Sequence, residues 1–125
     1  PATHPLAKAD NLPFEQLRGE TFLLFPEHSF INDLCIRECR NAGFEPHIAY
    51  TGNRGATLID LVRNGAGITL MMHHSARQEN DSSLAFIPVT PGIYSYISLN
   101  YAKEKPLSPQ AESFVRYVKA HKRDF

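Results

Sequence analysis

The sequence predicts an α/β fold, a mainly parallel sheet with flanking helices. Three short strand-like runs, 21–25 (TFLLF), 47–51 (HIAYT) and 68–72 (ITLMM), alternate with two stretches of helical periodicity. That order requires crossover connections, which join parallel strands and lay helices over the sheet.

The first twenty residues are rich in proline and polar groups and read as a connector. Residues 21–25 form an apolar run between Gly19 and Pro26, as a buried strand does. A helix follows. Ser29 can cap it, Ile31, Leu34, Cys35, Cys39 and Ala42 make its apolar side, and Gly43 can end it. Asp33, Arg37, Glu38 and Arg40 fall mainly on the other side. The pattern repeats with a strand at 47–51, a polar turn Gly52-Asn53-Arg54-Gly55, and a helix over 56–64. Leu58, Ile59, Leu61 and Val62 are its apolar residues, and Gly65 stops it. A third strand is expected at 68–72, a short helical piece at 75–78 and a polar turn at 80–83. Strands at 84–89 and 93–102 come next. In the latter, Tyr94, Tyr96, Ser98 and Asn100 alternate with Ile93, Ser95, Ile97 and Leu99. The last helix has Ser108 as cap, Pro109 at its first position and a stripe of Ala111, Phe114, Val115 and Val118.

Composition bounds the function. Hydrophobic residues at 42% and charged residues at 21% are ordinary for a globular chain, so disorder is not expected. Thirteen basic residues balance thirteen acidic ones. The chain therefore lacks the basic footprint of a nucleic-acid-binding domain. The tail Lys119, His121, Lys122, Arg123 reads as a solvated helix end. No apolar run approaches the roughly 18 residues of a membrane span. Cys35 and Cys39 lie on an apolar helix side, where thiols act as small hydrophobes, and a reducing cytoplasm suits them. Their spacing resembles no zinc finger or ribbon, and the adjacent His73-His74 would point opposite ways along a strand, so no metal is expected. GNRGAT fits neither nucleotide-binding glycine motif, so no cofactor is expected. No nucleophile elbow or pair of catalytic carboxylates is present, and the chain does not read as an enzyme. Tyr94, Tyr96 and Tyr101 read as cross-strand packing rather than a stacking platform.

In parallel sheets ligands gather beyond the carboxyl ends of the strands. Three turns share that edge here: Pro26-Glu27-His28-Ser29, Thr51-Gly52-Asn53-Arg54-Gly55 and His73-His74-Ser75. The first two lead into helices, whose free amides and dipoles favour an anion. Arg54 can clamp a carboxylate, sulfate or phosphate, and Ser29, Thr51 and Asn53 add neutral hydrogen-bonding groups. Each has a plainer use: Ser29 as a cap, Gly52 and Gly55 for turn geometry, Arg54 facing water.

Several segments resemble the LysR-type transcriptional regulators. They are His4-Pro5-Leu6-Ala7, the LRGETF entry at 17–22, and Cys39 to Pro46, which is similar to a C-x-x-x-G-F-x-P stretch. Leu61 to Ile68 is similar to L-V-x-x-G-x-G-I, and Leu107-Ser108-Pro109 to the segment opening the final helix. In order, they cover nearly the whole chain. The resemblance implies an effector-binding domain like a type 2 periplasmic-binding protein, with two α/β lobes and the ligand between them. On that map residues 1–12 are the first crossover, 13–92 the second lobe, and 93–125 a return strand and helix belonging to the first lobe. It implies effector contacts from Ser29, Phe30, Thr51, Asn53, Arg54 and the Met71-Met72 strand end. It also implies homo-oligomers (dimers or tetramers), a cytoplasmic location without membrane contact, and DNA binding through an N-terminal helix-turn-helix that these residues lack. A lone lobe is expected to expose apolar surface and self-associate. The family often has a proline where this chain has Met72-His73, a departure in that wall of the site. The alternative reading is a lobe of a transport-type solute-binding protein.

Overall fold

The structure, a computed structural model, describes residues 1–77, 81–96, 98–102 and 104–121. Single-turn 3-10 helices at Pro5–Lys8 and Phe14–Leu17 flank strand β1 (Leu12–Pro13). Then come β2 (Thr21–Leu24), α1 (Phe30–Asn41), β3 (His47–Thr51), α2 (Gly55–Arg63), α3 (His73–Arg77), β4 (Val89–Thr90) and α4 (Pro109–Ala120). The chain divides into two compact units, Pro1–Ile93 and Tyr94–Phe125.

β2 is the centre of the first unit. It pairs in parallel with β3, from Thr21 opposite His47 to Leu24 opposite Thr51, with an irregularity between Phe22 and Leu23. Phe22 also bridges Ile68 in parallel: Thr21 O accepts from Ile68 N and Leu23 N donates to Ile68 O, both at 2.8 Å. Gly67 makes this approach possible, because a Cβ there would run into the Thr21 carbonyl. β2 is buried on both faces, as its unbroken apolar run requires. Phe22 and Leu24 join one core with Leu12, Phe14, Leu17, Cys35 and Cys39. Leu23 points the other way by strand alternation, and α2, carrying the buried Leu58 and Ile59, packs against β2.

The first helix ends as its sequence suggests. Gly43 sits at φ +78 and donates to Arg40 O at 2.9 Å. Arg18 reaches across from the connector. Its Nη2 donates to Ala42 O (3.3 Å) and Gly43 O (3.0 Å), and its guanidinium lies 5.4 Å from the Phe44 ring centre. A cation thus meets the negative end of the α1 dipole.

Several expectations need correction. The first twenty residues are more than a connector, since Leu12, Phe14 and Leu17 are core residues. The run 68–72 takes one bridge, at Ile68, and no further strand pairing among the described residues; β2 ends at Leu24, so the run soon lacks a neighbour. The strand expected at 84–89 is reduced to Val89–Thr90, paired with Leu12–Pro13, where Leu12 N donates to Pro88 O. The described residues of 93–102 form no strand; Ile97 lies outside them. Tyr94 and Tyr96 are 82% and 94% exposed, so the expected cross-strand packing of the tyrosines is absent there. A strand exists only against a neighbour that takes up its amides and carbonyls. The short helix starts at His73, two residues before the expected 75, and Gln78 lies outside the described residues.

In the second unit, α4 starts as expected: Ser108 Oγ accepts from Ala111 N at 3.2 Å and Pro109 stands at the first position. Its stripe is only half-covered, and Phe114 is 57% exposed. Tyr117 and His121 stack at 4.2 Å. Lys122 and Arg123 of the basic tail lie outside the described residues.

Candidate functional site

Two loops and one apolar run end at the carboxyl edge of the first unit. Between β2 and α1 the chain turns through residues 25–29, with His28 at φ +65, a conformation unusual for a residue with a side chain. Ser29 N donates to Pro26 O at 3.1 Å, and Ser29 Oγ accepts from Asn32 N at 3.4 Å. Ser29 therefore serves as the helix cap. Phe30 follows with its ring exposed. The amides opening α1 have no intrahelical acceptor.

The second loop leaves β3 at Thr51. Gly52 N donates to Leu24 O at 3.0 Å, and Asn53 is exposed. Arg54 occupies the cap position of α2 with extended backbone and makes no side-chain cap bond. Its exposed guanidinium has no ion pair or hydrogen bond among the described residues. The first amides of α2 are thus uncapped beside a free cation, the arrangement that attracts an anion. Gly55 ties the strand ends together: a Cβ placed on it would stand 3.5 Å from Met71 Cε and 3.8 Å from Phe25 Cζ. The end of the 68–72 run, the end of β2 and the start of α2 therefore abut. Met72, the next residue, is 36% exposed.

An open depression of about 470 Å³ lies between α1 and β3. Glu27, His28, Asn32, Ile36, Tyr50 and Thr51 are among its walls. Thr51 is the only one of the six predicted contacts there; Ser29, Phe30, Asn53, Arg54 and Met72 sit outside it. Sequence reading missed Asn32, which is 1% exposed. Its Nδ2 donates to Phe25 O at 2.8 Å, while Oδ1 is buried without a partner among the described residues. The signal was available, since position 32 stands three residues before Cys35 and seven before Cys39 on the buried face.

Cys35 and Cys39 are both free and fully buried. The hydrogen bond with Cys39, then burial, push the Cys35 thiol well above its ordinary range, so it is not a nucleophile near neutral pH. Asp81 accepts from Ser83 Oγ and Ser83 N and pairs with Arg63. These partners, Ser83 first, bring its carboxyl down to about 2. Arg63 also pairs with Asp60, so the 81–83 turn is tied to the end of α2. No group of three or more metal-ligating side chains comes together among the described residues. No helix among them is long and apolar enough to cross a membrane.

The profile of the LysR substrate binding domain family matches residues 1–123. The transcriptional dual regulator GltC of Bacillus subtilis is 29% identical over 119 residues, covering 94% of this chain and 40% of that protein. The HTH-type transcriptional regulator TtuA of Agrobacterium vitis is 35% identical over 82 residues, covering 62% of this chain and 26% of that protein. The chain thus spans about 40% or less of these relatives, both of them transcriptional regulators. Among solved structures, the CcmR regulatory domain of Synechocystis PCC6803, in complex with 2-PG, superposes with a TM-score of 0.78 at 18% identity. The match covers 95% of this chain and 58% of that one, and it shows a shared fold.

Proposed function

Because this chain belongs to the LysR substrate-binding domain family, we propose that it is the effector-sensing part of a LysR-type transcriptional regulator. The residues described here supply one wall of an interlobe cleft that takes a small polar or anionic metabolite. Residues 13–92 form the second lobe, 1–12 a crossover into it, and 93–125 belong to the first lobe.

One observation carries the ligand class: Arg54 stands exposed, with no ion pair or hydrogen bond among the described residues, at the uncapped start of α2. A guanidinium beside free helix amides is a site for a carboxylate or phosphate oxygen. Ser29, the Phe30 amide, Thr51, Asn53 and Met72 border the same cleft wall. The CcmR regulatory domain, described as complexed with 2-PG, supports a small ligand in a domain of this fold. In the whole regulator, DNA is held by a helix-turn-helix outside these residues, the protein works in the cytoplasm as a homo-oligomer, and effector binding shifts its conformational equilibrium.

The test is an amide-resolved NMR titration of the 125-residue chain with inorganic phosphate and with short dicarboxylates. Shifts concentrated at Phe30 and at 54–57 are expected, with weak affinity because one wall acts alone. Shifts confined to the second unit, or none with any anion, would contradict the proposal.

A further inference from the structure

We infer that Asn32 is a positioning residue for the β2–α1 turn, holding Ser29 and the Phe30 amide where the effector site requires them. The inference rests on the effector reading above. Four hydrogen bonds close this turn. Ser29 N donates to Pro26 O (3.1 Å), Asp33 N to Ser29 O (3.0 Å), Asn32 N to Ser29 Oγ (3.4 Å), and Asn32 Nδ2 to Phe25 O (2.8 Å). The last is the side-chain bond that joins the helix to the end of β2. It spans the segment containing His28, whose left-handed backbone persists only where its surroundings hold it.

Asn32 is poorly suited to a filling role. It sits 1% exposed on the same helix face as Cys35 and Cys39, and its Oδ1 is buried with no partner among the described residues. A leucine of similar shape would fill that space without an orphaned acceptor. The half of the amide that is satisfied is the half that fixes the turn. Since α1 is anchored in the core by Leu34, Cys35 and Cys39, the bond ties Phe25 to a rigid element and leaves the loop between them little freedom. Asn32 thus contributes through Ser29 and Phe30.

The test compares amide hydrogen exchange, read by NMR, in the 125-residue chain and its Asn32→Leu and Asn32→Asp variants. Both variants lack the Nδ2 donor, and only one adds a charge. The amides of Ser29, Asn32 and Asp33 are expected to exchange at least tenfold faster in both. The amides of Leu34, Cys35 and Cys39 are expected to keep their rates. The inorganic phosphate response at the Phe30 amide is expected to weaken at least fivefold, with Asn53–Arg54 shifts retained. Unchanged exchange in the turn overturns the inference. So does uniform loosening of the first unit, or failure of both variants to fold, since either assigns Asn32 to the core alone. If phosphate leaves Phe30 untouched in the unsubstituted chain, the effector reading fails while the exchange pattern still decides the role of Asn32.

Discussion

The first unit has a strand buried on both faces, with Leu24, Cys35 and Leu58 fully excluded from solvent. The second has a well-capped helix, yet Phe114 is 57% exposed and Tyr96 94% exposed. Both carry apolar residues at the right period. The difference lies in partners. A helix satisfies its own backbone and needs only a cap to begin, so α4 forms with its stripe half-covered. A strand has no internal hydrogen bonds, and in 93–102 the described residues lack one to pair with.

This contrast can be broken most strongly at Leu58. Leu58→Ala empties a fully buried site and is expected to cost about 2–5 kcal/mol in denaturant unfolding of the chain. Phe114→Ala, a larger truncation at an exposed site, is expected to cost less than about 1 kcal/mol. Similar costs at the two positions would show that α4 is packed as firmly as α2. Next in size, Ser108→Ala removes the Oγ acceptor for Ala111 N and is expected to destabilise α4 by about 1 kcal/mol. Amide exchange faster in α4 is the expected readout; unchanged exchange there would show that the Ser108 cap contributes nothing to the helix.

The smallest effect is at the 81–83 turn. The Asp81 carboxyl titrates near 2, below its ordinary 3.8, so folding favours its charged form. Its contribution is complete above about pH 4 and is lost as pH falls toward 2. Carboxyl NMR of Asp81 is expected to show a midpoint near 2, and Arg63→Gln is expected to raise it. A midpoint near 4 in the unsubstituted chain would mean that Asp81 has neither Ser83 nor Arg63 as a partner.

What could be read from sequence follows the same division. The Ser29 and Ser108 caps are local chemistry, and both were legible, as was the 47–51 strand with its neighbour at 21–25. The α2 start at Gly55, one residue early, is ordinary variation at a helix end. The run at 93–102 misled because alternation states which faces a strand would have, without saying whether a neighbour exists. At the candidate site, the turn residues were visible because serine, glycine and arginine mark helix starts. Asn32 was not singled out because its role depends on a bond to Phe25, seven residues away across the turn.

We propose that the edge around Arg54 binds an anionic effector. Calorimetric titration of the 125-residue chain and its Arg54→Gln variant with inorganic phosphate and short dicarboxylates tests it most directly. At least one anion is expected to bind the unsubstituted chain and to lose about tenfold in affinity, or about 1.4 kcal/mol, in the variant. Equal affinities, or no heat with any anion, would contradict the account.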